Sequence, residues 1–292
     1  MVYIKNYKDF INENYGISNW VKELSEIIYN HILENKEEFK QNKYFTIQLN
    51  NYINNSIKID NSIIRLELSN VNKGLFDDSF CYIKNGVLYN LQINIETINI
   101  NERIKEILNH ELTHVVEYYN FNFKNLKNLP KYFTIRKYYI NHKDLDNGLN
   151  FKNFIYLLYF SLDTELNSRI AELYNVIFKY KNNQYEFIKN ILKKHIAFDY
   201  LNRLLNFDHI EFVDNTIKEI GLEKFIFISN DMISFIKSDL NGKKFNVISK
   251  IDNISDKNDL IKLYKNFEKM FKIKANKHSE KVEKLIRNRK LN

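Results

Sequence analysis

His110-Glu111-Leu112-Thr113-His114 is the stretch on which the reading of this chain turns. Around it Ile104, Ile107, Leu108, Leu112 and Val115 recur at helical spacing, so the five residues lie on a helix. Two histidines four apart stand one above the other on a single helical face, where both imidazoles reach one metal ion with Glu111 beside them. A catalytic zinc takes three protein ligands and leaves a fourth position for water, from which a neighbouring carboxylate removes a proton. The chemistry implied is metal-assisted hydrolysis, with a peptide bond as the expected target. Histidines that merely meet solvent would sit on a wholly polar face, whereas His110 and His114 border an apolar stripe. The longer form of the motif needs glycine at position 117 and a further ligand at 120. Glu117 and Asn120 stand there instead, so the third ligand comes from further away.

Upstream, Ser18 reads as an N-cap for a helix in which Trp20, Val21, Leu24, Ile27, Ile28, Ile32 and Leu33 recur up to about Lys40. Between Tyr44 and Ile98 the apolar period falls to two, in Phe45-Ile47-Leu49, Ile64-Leu66-Leu68 and Leu91-Ile93-Ile95. Asn85-Gly86 is a hairpin signal and Lys73-Gly74 a second turn. A small, mostly antiparallel sheet is therefore expected just before the motif helix, which would start near Asn101. The strand from Leu88 to Glu96 is the expected edge, where an extended substrate peptide could pair.

Downstream, residues 121 to 150 are polar and aromatic, with Pro130 and Gly148 as punctuation. They read as a loop or short helices over the cleft, with His142 at the surface. Phe154 to Phe178 reads as one strong helix, too apolar to hold an uncompensated carboxylate, and Glu165 lies inside it. Here the chain resembles the gluzincin metallopeptidases, in which a Glu on a later helix completes the zinc site. Glu165-Leu166-Asn167-Ser168-Arg169 fits that pattern, with Ser168 as the small residue that lets two helices approach. The resemblance covers roughly residues 40 to 180 and rests on two short motifs. It implies Zn2+ held by His110, His114 and Glu165, with Glu111 as general base. Glu172 and Asp163 are alternative ligands. Arg169 departs from the family, which often has an acid there to orient a ligand histidine. The competing reading of Glu165 is a salt bridge to Arg169 four residues on.

Beyond Lys179, apolar residues at helical spacing recur in 185–205, 217–239 and 260–273, and His195 and His209 read as ordinary core-edge or surface residues. A single cysteine, Cys81, excludes an intramolecular disulfide, so a zinc site must use His and carboxylates. Neither a signal sequence nor a membrane span is apparent, which predicts a soluble cytoplasmic protein with no membrane partner. The net charge is +8, and residues 272–292 carry eight basic and two acidic side chains, a net of +6. That tail predicts a solvated helix end open to nucleic acid or another acidic partner. The first fifteen residues resemble the short leaders of proteins from large tailed bacteriophages, which raises packaging in a virion.

The expectation is an α+β, zincin-like fold, with a small mostly antiparallel sheet, the motif helix, and a helical C-terminal subdomain. Its parts are a leader over 1–16, a catalytic domain over 17–180, a helical subdomain over 181–276 and a basic tail over 277–292. The expected function is a zinc metalloendopeptidase acting on a protein or peptide, with the oligomeric state left open. The alternative is a non-catalytic structural or scaffold protein of a phage particle that keeps the fold and cleaves nothing.

Overall fold

A computed structural model describes residues 19–38, 44–49, 58–59, 62–67, 80–84, 87–92, 103–124, 130–142, 147–240 and 245–288. The leader, the turns at 73–74 and 85–86 and the cap at Asn101 lie outside them. By contact the chain divides into two compact units: residues 1–126, 167–192 and 281–292 form the first, and residues 127–166 and 193–280 the second.

In the first unit, α1 (Asn19–Glu34) buries Trp20, Val21, Leu24, Ile28 and Ile32 along one stripe and packs on α2 (Arg103–Lys124). Fully burying each such aliphatic side chain is worth about 1.5–3 kcal/mol. On α2 the expected stripe of Ile104, Ile107, Leu108, Leu112 and Val115 is buried, and an ion pair from Lys105 to Glu26 joins the two helices. Between them lie β1 (Tyr44–Leu49), β2 (Lys58–Ile59), β3 (Ser62–Glu67), β4 (Phe80–Lys84) and β5 (Val87–Gln92). β1 pairs antiparallel with β3, from Tyr44 opposite Glu67 to Leu49 opposite Ser62. A separate sheet has the order β2-β5-β4, with β2 parallel and β4 antiparallel to β5.

The chain is a helical protein, and this corrects the expected α+β zincin-like fold. Two-residue alternation was present in the sequence, but the strands it makes run two to six residues and form two small sheets, one holding a parallel pair, where one antiparallel sheet was expected. The expected edge strand is corrected with it, because β5 is the central strand of its sheet. Ten helices, up to 32 residues long, carry the described architecture.

The second unit holds α3 (Pro130–His142), α4 (Leu149–Phe160), α7 (Ile196–Leu205), α8 (His209–Ile220), α9 (Leu222–Asp239) and the first part of α10 (Lys257–Asn288). Pro130 occupies the first position of α3, where its missing N–H costs nothing. The core of this unit is aromatic: Phe154 of α4 meets Tyr264 and Phe267 of α10 edge-on at 4.9 and 5.1 Å, and Phe212 of α8 at 5.1 Å. The Tyr264 hydroxyl is fully buried and lies 2.9 Å from Ser229 Oγ, and burial pushes its pKa up. α4 lacks a side-chain cap of its own and takes one from α8, where Glu219 accepts from Leu149 N at 2.5 Å and from Asn150 N at 3.0 Å. Gly148 makes this approach possible. Its φ is 79°, and a Cβ there would meet Ile220 Cγ2 at 2.7 Å.

Two further expectations are corrected. The single helix over 154–178 is broken at Ser161-Leu162 into α4 and α5 (Asp163–Lys179), as Ser161 and Leu162 turn back their N–H groups onto Leu157, Leu158 and Tyr159. The described part of the basic tail, up to Asn288, is not wholly solvated. As the close of α10 it buries Val282, Leu285 and Ile286 in the first unit, where Tyr185 of α6 (Tyr185–Leu192) donates to Glu283 and Lys281 donates to Asn167 at 3.0 Å. Its apolar residues at helical spacing outweigh the charge that marked it as a tail. Among the described residues no helix is long and apolar enough to cross a membrane.

Candidate metal centre

The site is built by α2 and α5. On α2, the four-residue spacing of His110 and His114 directs both rings to one side, T-shaped with centroids 4.8 Å apart. Their Nε2 atoms lie 3.2 Å from each other. On α5, Glu165, Ser168 and Glu172 are spaced three and four apart and share one face. α5 is one unbroken helix from Asp163 to Lys179, so the placement of Ser168 and Glu172 against the histidines also aims Glu165. His110, His114 and Glu165 offer ligand atoms that all lie within 4.8 Å of one another, and all three are buried.

The outer nitrogens are held as well. His110 Nδ1 lies 2.7 Å from Glu172 Oε1, and His114 Nδ1 lies 3.2 Å from Ser168 Oγ. A carboxylate thus lies against the outer edge of the His110 ring, opposite the Nε2 that faces His114. Arg169 donates to the same Glu172 oxygen at 2.5 Å and fixes it. On Glu165 it is the phenol of Tyr159, from the end of α4, that donates to Oε1.

The group has the donor types and spacing that could hold a metal ion. Two nitrogens bound to tetrahedral zinc at about 2.0–2.1 Å stand about 3.3 Å apart, close to the separation of the two Nε2 atoms. Glu111, Glu165 and Glu172 are 6%, 1% and 4% exposed, and Arg169 pairs with Glu172. A divalent ion held among these buried acids would offset their charge.

Of the residues singled out in the sequence, the structure brings His110, His114 and Glu165 together. Glu111 lies beside them on α2, buried. Asp163 does not join them, for its side chain is 56% exposed and lies 3.7 Å from Lys274 Nζ. Glu172, an alternative ligand in the sequence, meets the far nitrogen of His110. Arg169 pairs with Glu172. Sequence reasoning missed Tyr159, and it took Ser168 as a spacer when its hydroxyl contacts a histidine. No family model, curated protein or solved structure matches this chain.

Proposed function

We propose that this chain is a zinc-dependent hydrolase whose substrate is a peptide bond within a protein or peptide. The observation that carries the reading is the facing pair of Nε2 atoms 3.2 Å apart, with Glu165 beside them and each Nδ1 backed by a side chain of α5. His110, His114 and Glu165 would hold the ion. When bound, zinc supplies a Lewis acid for the scissile carbonyl and lowers the pKa of a water. Glu111, next to His110 and three residues before His114, takes the proton of the attacking water and delivers it to the leaving amine. Glu172 and Ser168 hold the two imidazoles in register, and Arg169 holds Glu172. The resemblance to gluzincin metallopeptidases supports the reading through the order of its motifs.

Metal analysis of the purified chain tests it. One zinc per chain is expected in the wild type and in Glu111→Gln, with peptide hydrolysis in the wild type alone. His110→Ala and His114→Ala should each lose stoichiometric zinc. A normal zinc content in either histidine variant would sink the site, and full activity in Glu111→Gln would remove the general base.

A further inference from the structure

The break between α4 and α5 joins two residues that a continuous helix would hold apart. Residues six apart on one helix are separated by about 9 Å along the axis and face different sides. Leu162 N instead turns back to Tyr159 O at 3.1 Å, and the Tyr159 phenol donates to Glu165 Oε1. Tyr159 is held in its turn, its ring stacked on Tyr139 of α3 with centroids 5.0 Å apart and planes 8° from parallel. The bond is thus made between a ring fixed by stacking and a carboxylate that is 1% exposed.

A carboxylate can bind a metal through one oxygen or through both. Binding through both would take up the position that a hydrolytic zinc keeps for water. An oxygen that already accepts a strong hydrogen bond is a poorer metal ligand than its twin. We propose that Tyr159 is a positioning residue that restricts Glu165 to coordination through one oxygen and so keeps a place open for the attacking water. This rests on the hydrolase reading above. It also commits the phenol to Glu165, so that the oxyanion must be stabilised by a different donor.

Cobalt(II) in place of zinc tests this, because its visible absorption is intense in four-coordinate sites and weaker in five-coordinate ones. Wild type should bind one cobalt with the intense spectrum. Tyr159→Phe should also bind one cobalt, with the weaker spectrum, and its zinc form should lose far more turnover than the tenfold or so lost in zinc affinity. Tyr156→Phe deletes a hydroxyl on the same helix, 2.7 Å from the Tyr200 hydroxyl, and should keep the wild-type spectrum. If Tyr159→Phe does not fold, Tyr139→Leu removes the stacked ring without touching Glu165 and should show the same weakening. A wild-type spectrum in a folded Tyr159→Phe, or in Tyr139→Leu where that stands in, overturns the proposal and leaves the hydrolase reading intact. A wild type that takes up no stoichiometric cobalt overturns both.

Discussion

At the scale of the residue, the proposed site assigns its acids different roles, one binding the ion and one orienting a ligand. Glu165 and Glu172 lie seven apart on one face of α5, so sequence spacing makes either a candidate ligand. Only the fold sends Glu172 to the outer nitrogen of His110 and groups Glu165 with both histidines. The two glutamine substitutions should therefore differ. Glu165→Gln should cost the larger share of zinc affinity, since it removes a charged ligand. Glu172→Gln keeps an acceptor for His110 Nδ1 and should weaken binding by about 10-fold, the low end for an outer partner. Titration against a competing chelator measures both, and the reverse order would exchange the roles of the two acids. The grouping of His110, His114 and Glu165 was legible because four-residue spacing and a carboxylate within an apolar helix are local signals. Tyr159 was not legible, because its contact depends on a helix break that an unbroken apolar pattern conceals.

Between elements, the end of one helix is often completed by another. α4 begins with no cap of its own, and Glu219 at the end of α8 satisfies two of its first N–H groups. Gly148→Ala would have to adopt a positive φ, at about 1–2 kcal/mol, and would also drive a methyl group into Ile220. Glu219→Ala should cost about 1 kcal/mol, the worth of a helix cap. Denaturant midpoints should rank Gly148→Ala below Glu219→Ala, and both below wild type. A Gly148→Ala protein as stable as wild type would show that α8 does not press on that position. Helices were the legible elements here. Their existence followed from periodicity, while their ends at Ser161 and Gly221 depended on turns that the apolar pattern runs straight through.

At the scale of the whole molecule, charge misled where apolar spacing did not. The net charge of +6 over residues 272–292 suggested a free tail, yet His278, Val282, Leu285 and Ile286 follow helical spacing and are buried. Ending the chain after residue 280 should lower the thermal midpoint of the first unit and expose apolar surface to a hydrophobic dye. An unchanged melt would return the segment to the solvent. The fold class was the least legible level, since alternation over six residues does not say whether strands will join one sheet or two. That the closing turns of α10 belong to the first unit also bears on how the protein is made. A ribosome adding about 5–20 residues per second needs roughly 4–18 s to pass from residue 192 to residue 281. Throughout that interval His110, Glu111, His114 and Glu172 have been synthesised, while the helix segment that completes their unit has not, so a nascent chain carries these residues before it has the packing to hold them.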